Sequence, residues 1–192
     1  MHSNSGTAMM FSNYKTTTKD IDLVFQNEEE RKIFIKAIEK IGYKQQAIGN
    51  IYDEKRKQHQ DKPLMYTRGD ERFDLFVKNI FGYEIEFNQE NIMQRNDFLG
   101  KKELTILILP KEELILLKAI TGREKDYEDI ETILEIEKNV DWKQIIENAT
   151  KQKKNNSWIL IDLEETLQQL KKKYFIKEEI FKLIYKEQEK KI

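Results

Sequence analysis

The sequence predicts an α+β protein in two parts. A small mixed sheet with flanking helices is expected over about 1–109, followed by a helical unit over about 110–192. Three observations carry this. Short apolar runs with strand character, at 21–25, 73–77 and 104–109, all precede Pro110. An amphipathic helical pattern lies between the first two. Beyond Pro110 apolar residues recur at helical spacing to the end of the chain.

Taken in order, His2 to Ser5 is short and polar and reads as the middle of something, with His2 in a mobile terminus; a Gly-Thr turn leading into a helical turn would normally have a strand before it. Gly6 and Thr7 then form a turn into an apolar helical segment, Ala8-Met9-Met10-Phe11. The polar stretch 13–18 is turn-like. Ile21, Leu23, Val24 and Phe25 form a buried strand between Asp20 and Gln26. Asn27 followed by Glu28, Glu29 and Glu30 is a helix start, a capping residue and then acids that the helix dipole favours. Ile33, Phe34, Ala37, Ile38 and Ile41 continue that helix to a C-cap at Gly42. Strands are read at 43–51 and 64–67, with a polar loop over 53–62 between them. A clear alternating strand covers 73–77 and ends near 79–82. The stretch 89–96 is ambiguous, and 104–109 is another strand. Helices follow at about 111–121, 126–137, 141–151, 160–173 and 177–190.

Composition limits the chemistry. Lys and Arg total 34 against 35 Asp and Glu, a formal net charge of -1. Bulk positive charge therefore cannot drive nucleic-acid binding, although a local patch can. The chain has no Cys and only 2 His. Disulfides, thiolate metal sites, cysteine nucleophiles and multi-histidine metal clusters are excluded. Any bound metal is held by carboxylates, which select a hard cation such as magnesium or manganese. No stretch is apolar and long enough to cross a bilayer, and the first residues carry no signal-peptide pattern, so a cytoplasmic location is expected.

Asp20 and Asp22 bracket Ile21. Residues two apart in a strand share a face, so both carboxylates project from one side while Ile21 and Leu23 point into the core. Adjacent carboxylates repel unless a cation lies between them, and oxygen ligands at this spacing suit magnesium. The plain alternative is a solvated strand end. Asp74 lies between Phe73 and Leu75, and a carboxylate among apolar neighbours is costly unless paired or metal-bound. If its strand lies beside the first, three carboxylates converge on one face. Such a set can hold two cations about 4 Å apart and clamp triphosphate oxygens. Asp74 is then the group on the nucleophile side. The alternative for Asp74 is pairing with a buried arginine such as Arg72 or Arg68. Gly6 lets backbone approach a phosphate, and the Thr7 hydroxyl and nearby amides can donate to it.

With these elements in order, the chain resembles the nucleotidyltransferase superfamily that includes DNA polymerase beta and small antibiotic-modifying enzymes. Gly6-Thr7 stands for the family's glycine motif, Asp20-Ile21-Asp22 for its metal pair and Asp74 for its third carboxylate. More closely it is similar to the prokaryotic proteins related to the AbiEii nucleotidyltransferase toxins. The matching residues are Gly6-Thr7-Ala8-Met9 and Thr18-Lys19-Asp20-Ile21-Asp22-Leu23-Val24. Those relatives also carry a downstream helical motif, matched here by Lys118, Arg123, Lys125-Asp126 and Asp129. The likeness covers about 6–130. Two departures stand out: Ser5 replaces the first glycine of the usual pair, and the preceding strand and helix are missing, as in a chain truncated or wrongly started.

The downstream motif also reads on its own terms. Lys118 and Thr121 lie about one turn apart and share a face, with Leu117 toward the core. Lys118, Arg123 and Lys125 are the cations available for the phosphates of a bound nucleotide. Asp126 and Asp129 orient those cations, and Asp126 caps the next helix. The alternative is a salt-bridge network that docks the helical unit on the sheet.

The resemblance implies a magnesium- or manganese-dependent nucleotidyltransferase. It would move a nucleoside monophosphate from a nucleoside triphosphate to a hydroxyl of RNA, protein or a small molecule. A toxin–antitoxin or defence role, with a cognate antitoxin as partner, follows from the same likeness. The competing expectation is a catalytically degenerate member that serves as a nucleotide-binding, regulatory or partner-binding module. His59, in a charged loop, reads as solvated, and Trp142 and Trp158 as core or interface residues. Lys171 to Lys173 read as a solvated basic run.

Overall fold

A computed structural model describes residues 2–18, 20–46, 62–87, 94–99 and 104–190. The expected strand beyond 46, the loop containing His59, Lys19 and most of the ambiguous 89–96 stretch lie outside the described residues. The protein is a mixed α+β fold in two compact units, Met1–Pro110 and Lys111–Ile192.

The first unit is built on a seven-stranded mixed sheet. Its strands are β1 (His2–Asn4), β2 (Asp20–Phe25), β3 (Lys44–Gln46), β4 (Leu64–Arg68), β5 (Glu71–Val77), β8 (Gln94–Phe98) and β9 (Leu104–Ile108). A separate short hairpin joins β6 (Asn79–Ile80) to β7 (Tyr83–Glu84). The sheet order is β3-β4-β5-β2-β1-β9-β8. β2 is therefore central, parallel to β5 on one side and antiparallel to β1 on the other.

The alternation in β2 and β5 decides what each face carries. Leu23, Phe25 and Leu75 are buried with Ile38, Tyr43 and Tyr66, and Ile21, Phe34, Phe73 and Val77 pack around them. Phe34 meets Phe73 edge-on, with ring centroids 5.4 Å apart. Helix α2 (Glu28–Lys40) covers this face. It starts where the sequence indicates, for the Asn27 side chain accepts a hydrogen bond from the Glu30 amide at 2.9 Å. It ends at Lys40 with Ile41 as the C-cap, one residue before the expected Gly42, whose φ of 96° suits a residue without a Cβ. The even positions of β2 and β5 leave Asp20, Asp22, Arg72 and Asp74 on the opposite face.

One expectation fails here. The strand expected to be missing before Gly6 is present: His2–Asn4 is a strand, and it directly precedes helix α1 (Ser5–Phe11). No apolar pattern marks it. Its conformation comes from pairing on both sides, antiparallel to β2 and parallel to β9. Burying those backbone groups in a ladder outweighs the weak strand preference of the residues themselves.

The second unit contains only helices among the described residues. These are α3 (Lys111–Thr121), α4 (Glu124–Ile136), α5 (Trp142–Gln152), α6 (Ile159–Leu170) and α7 (Glu178–Glu189). α3 is central and packs against α4, α5 and α6. Its residues from Glu112 to Ala119 are all buried. Ile130, Ile133, Ile145, Ile159, Leu163, Leu167 and Ile184 complete the core. α4 begins at Glu124, two residues earlier than periodicity indicates, where the Asp126 carboxylate accepts from the Arg123 backbone N–H at 3.3 Å. No helix among the described residues is long and apolar enough to cross a membrane.

Candidate functional site

The parallel pairing of β2 with β5 puts Asp20 opposite Arg72 and Asp22 opposite Asp74. The three carboxylates named from sequence therefore share one face of two central strands, with Asp22 and Asp74 as direct cross-strand neighbours. Like charges so placed repel. Arg72 moderates this: its terminal nitrogen lies 3.2 Å from Asp74 Oδ2 and 3.5 Å from Asp20 Oδ2. Asp74 is only 4% exposed, and a buried carboxylate is costly unless it is paired. Arg68, the other arginine considered as its partner, binds Glu71 instead, at 2.8 Å. Among the described residues no group of three or more His, Cys, Asp or Glu side chains is gathered so as to hold a metal ion. The donor chemistry of this face, all carboxylate oxygen, still suits magnesium or manganese. Asp22 and Asp74 are the pair that register alone brings together, with Asp20 at the edge of the same face.

Gly6 and Thr7 lie in α1, immediately after β1, whose Asn4 pairs with Asp22. The backbone thus delivers both to the neighbourhood of the β2 carboxylates. Gly6 serves packing first. A Cβ there would come within 2.6 Å of Thr18 Oγ1. That same hydroxyl donates to the Asp20 carbonyl at 2.9 Å, so the contact fixes the entry of the chain into β2. Thr7 is 4% exposed, and its Oγ1 makes no hydrogen bond among the described residues. A buried hydroxyl in that state costs about 1–3 kcal/mol.

Lys118, Arg123 and the two aspartates Asp126 and Asp129 come together within the helical unit. Lys118 is 2% exposed, with Nζ 2.5 Å from Asp129 Oδ2 and 3.7 Å from Asp126 Oδ1. Arg123 grips Asp126 with two nitrogens, Nε at 2.7 Å and a terminal nitrogen at 3.0 Å. The Thr121 hydroxyl donates to Asp126 at 2.6 Å. Burial pushes the Asp126 pKa up, but the bonds from Arg123 and Thr121 and the charges of Lys118 and Arg123 outweigh it. The net effect holds the carboxyl below the usual aspartate range. The network ties α3 to α4 inside one unit. Lys125 is exposed.

Two features escaped sequence reasoning in part. The sequence suggests Arg72 as a partner for Asp74, and its position two residues before Asp74 also puts it on the acidic face. The packing of Thr18 on Gly6 leaves no trace in sequence. Compared with known proteins, the chain matches no family model and no curated protein sequence.

Proposed function

We propose that the protein is a nucleotidyltransferase, transferring a nucleoside monophosphate from a nucleoside triphosphate to a hydroxyl. The observation that carries this reading is the in-register pairing of Asp22 with Asp74 on adjacent parallel strands, with Asp20 on the same face. Paired carboxylates on a rigid sheet suit the binding of hard cations, and a sheet holds them more closely than a loop does. The unsatisfied Thr7 hydroxyl adds a donor for a phosphate oxygen.

Asp20, Asp22 and Asp74 would hold magnesium or manganese, which supplies charge neutralisation of the triphosphate when bound. The residues themselves orient and accept protons. The acceptor hydroxyl oxygen bonds to the α-phosphorus, the bond from that phosphorus to the bridging oxygen breaks, and pyrophosphate leaves. Asp74 takes the hydroxyl proton and passes it to solvent.

A second reading has its own support. Arg72 sits beside two of the three acids, and the carboxylates are not gathered as a metal cage. A catalytically degenerate protein, binding nucleotide or a partner without turnover, would tolerate that arrangement. The two readings separate in a transfer assay. Protein, magnesium and each nucleoside triphosphate labelled at the α-phosphate are incubated with RNA and with the protein alone. Transfer of label with release of pyrophosphate, lost in Asp22→Asn, supports the enzyme. Absence of transfer with retained nucleotide binding supports the degenerate module. RNA, a cognate antitoxin and a small molecule are all acceptors or partners consistent with the site.

A further inference from the structure

We infer that a cavity in the helical unit, where α4 ends and α5 and α7 begin, binds a small aromatic anion: a planar ring that carries a carboxylate or a phosphate. The inference is independent of the carboxylate face of the sheet. The cavity measures about 710 Å³, inside the range of about 300–1,000 Å³ in which small molecules are enclosed. It is walled by the end of α4 with the segment after it, the first turn of α5, and the stretch from Tyr174 into the first turn of α7. Leu134, Val140, Ile176 and Ile180 make part of the lining apolar. Trp142, Tyr174 and Phe175 add aromatic side chains. Tyr174 is held, its hydroxyl donating to Glu135 at 3.2 Å. Phe175 is 91% exposed although its neighbour Ile176 is buried. A phenyl ring left in water beside a cavity gains from being covered, and a flat ring covers it well.

Charge selects the kind of ring. Of the acids in the lining, Glu137 is met by Lys111 at 3.3 Å, and Asp141 accepts from the Lys143 and Gln144 amides at 3.0 and 3.1 Å. Glu179 has no such partner among the described residues, and neither do the side chains of Lys138, Lys143 and Lys177. Three uncommitted lysines against one uncommitted glutamate leave the lining positive by two charges. The backbone adds to this. α5 and α7 both start at the cavity, and no side chain caps the first amides of α7. Helix starts carry partial positive charge, and the end of α4 offsets one of them. A ligand with an anionic group therefore meets the lysines without breaking an existing ion pair, while its ring covers aromatic surface. An organic cation over the same rings would gain a cation–π contact but face three ammonium groups.

The test titrates the full chain with four probes that share one ring: naphthoate, naphthyl phosphate, neutral naphthamide and cationic naphthylmethylamine. Binding is read in proton–nitrogen correlation spectra from the indole peak of Trp142. The peak of Trp158, which does not line the cavity, is the internal control, assigned with Trp158→Phe. Both anions are expected to move the Trp142 peak to saturation, leave the Trp158 peak in place, and bind about tenfold more tightly than the amide or the amine. Changing Lys138, Lys143 and Lys177 together to Gln should erase that preference for the anions, and changing the same three to Arg should keep it. Where the glutamine variant does not fold by far-ultraviolet circular dichroism, a salt series replaces it: anion affinity falls with ionic strength and amide affinity does not. Phe175→Ser, which alters an exposed ring, should weaken all ring binding. Equal affinity for the anions and the amide, or tighter binding of the amine, overturns the assignment of an anion. A Trp142 peak that no probe moves overturns the site itself.

Discussion

Lys118→Met tests whether the helical lysine is structural. Lys118 is nearly inaccessible and lies beside Asp129 and, farther off, Asp126. Both aspartates are themselves buried. The network holds two cations and two carboxylates. Methionine preserves the volume and removes one cation, leaving buried carboxylate charge without its counterpart. Breaking a buried pair by removing one partner costs about 3–5 kcal/mol, against about 5–15 kcal/mol for the stability of a whole domain. With a urea dependence of about 1–2 kcal/mol/M for a unit of this size, the midpoint falls by roughly 1.5 M or more. The chain offers a selective probe: both of its 2 tryptophans, Trp142 and Trp158, lie in the helical unit. Their fluorescence in urea therefore reports that unit alone. Adding Asp129→Asn to Lys118→Met removes the orphaned charge and recovers about 2 kcal/mol. A midpoint for Lys118→Met within about 0.5 M of wild type would refute this reasoning and return Lys118 to the list of phosphate ligands.

Other outcomes follow from the same geometry. Gly6→Ala drives a Cβ to 2.6 Å from Thr18 Oγ1 and strains the hydroxyl that bonds the Asp20 carbonyl; a loss of about 1–3 kcal/mol is expected in thermal unfolding followed by circular dichroism. Asp22→Asn removes a like-charge neighbour of Asp74, so stability stays within about 1 kcal/mol of wild type while magnesium-dependent nucleotide binding is lost. The Asp126 carboxyl titrates below its unfolded value near 3.8, so its contribution is complete above that pH and disappears as pH falls through the lower folded value. Tryptophan-detected urea midpoints should drop in that acid window, and the drop should be smaller in Asp126→Asn. Asn27→Ala removes the α2 cap and costs about 1 kcal/mol by urea unfolding followed at 222 nm.

What could be read ahead of the structure divides along physical lines. The helices after Pro110 were legible because each buries a stripe, and a stripe is a periodic signal. The helix of the first unit was legible for the same reason, and its start was marked by Asn27 and the three glutamates. β1 was not legible. Its three polar residues are held by hydrogen bonds to β2 and β9, and partners remote in sequence leave no local pattern. The acidic face was legible as far as alternation reaches: two residues apart means one side. That Asp22 stands opposite Asp74 depends on the register between two strands about fifty residues apart, which no local rule supplies. Lys118 carried two open readings, a phosphate ligand and a member of a salt-bridge network, and its pairing with Asp129 bears on the second. α3 is buried along most of its length, and the lysine's charge is met by Asp129 from the next helix, a pairing that sequence spacing alone does not settle.

The central claim is that the carboxylates of β2 and β5 bind a triphosphate through a divalent cation. Its most direct test is calorimetric titration of the protein with each nucleoside triphosphate, with and without magnesium, beside Asp22→Asn and Asp74→Asn. The account predicts binding of at least one nucleotide that requires magnesium and is lost in both variants. Binding that is indifferent to magnesium and to both substitutions would contradict it.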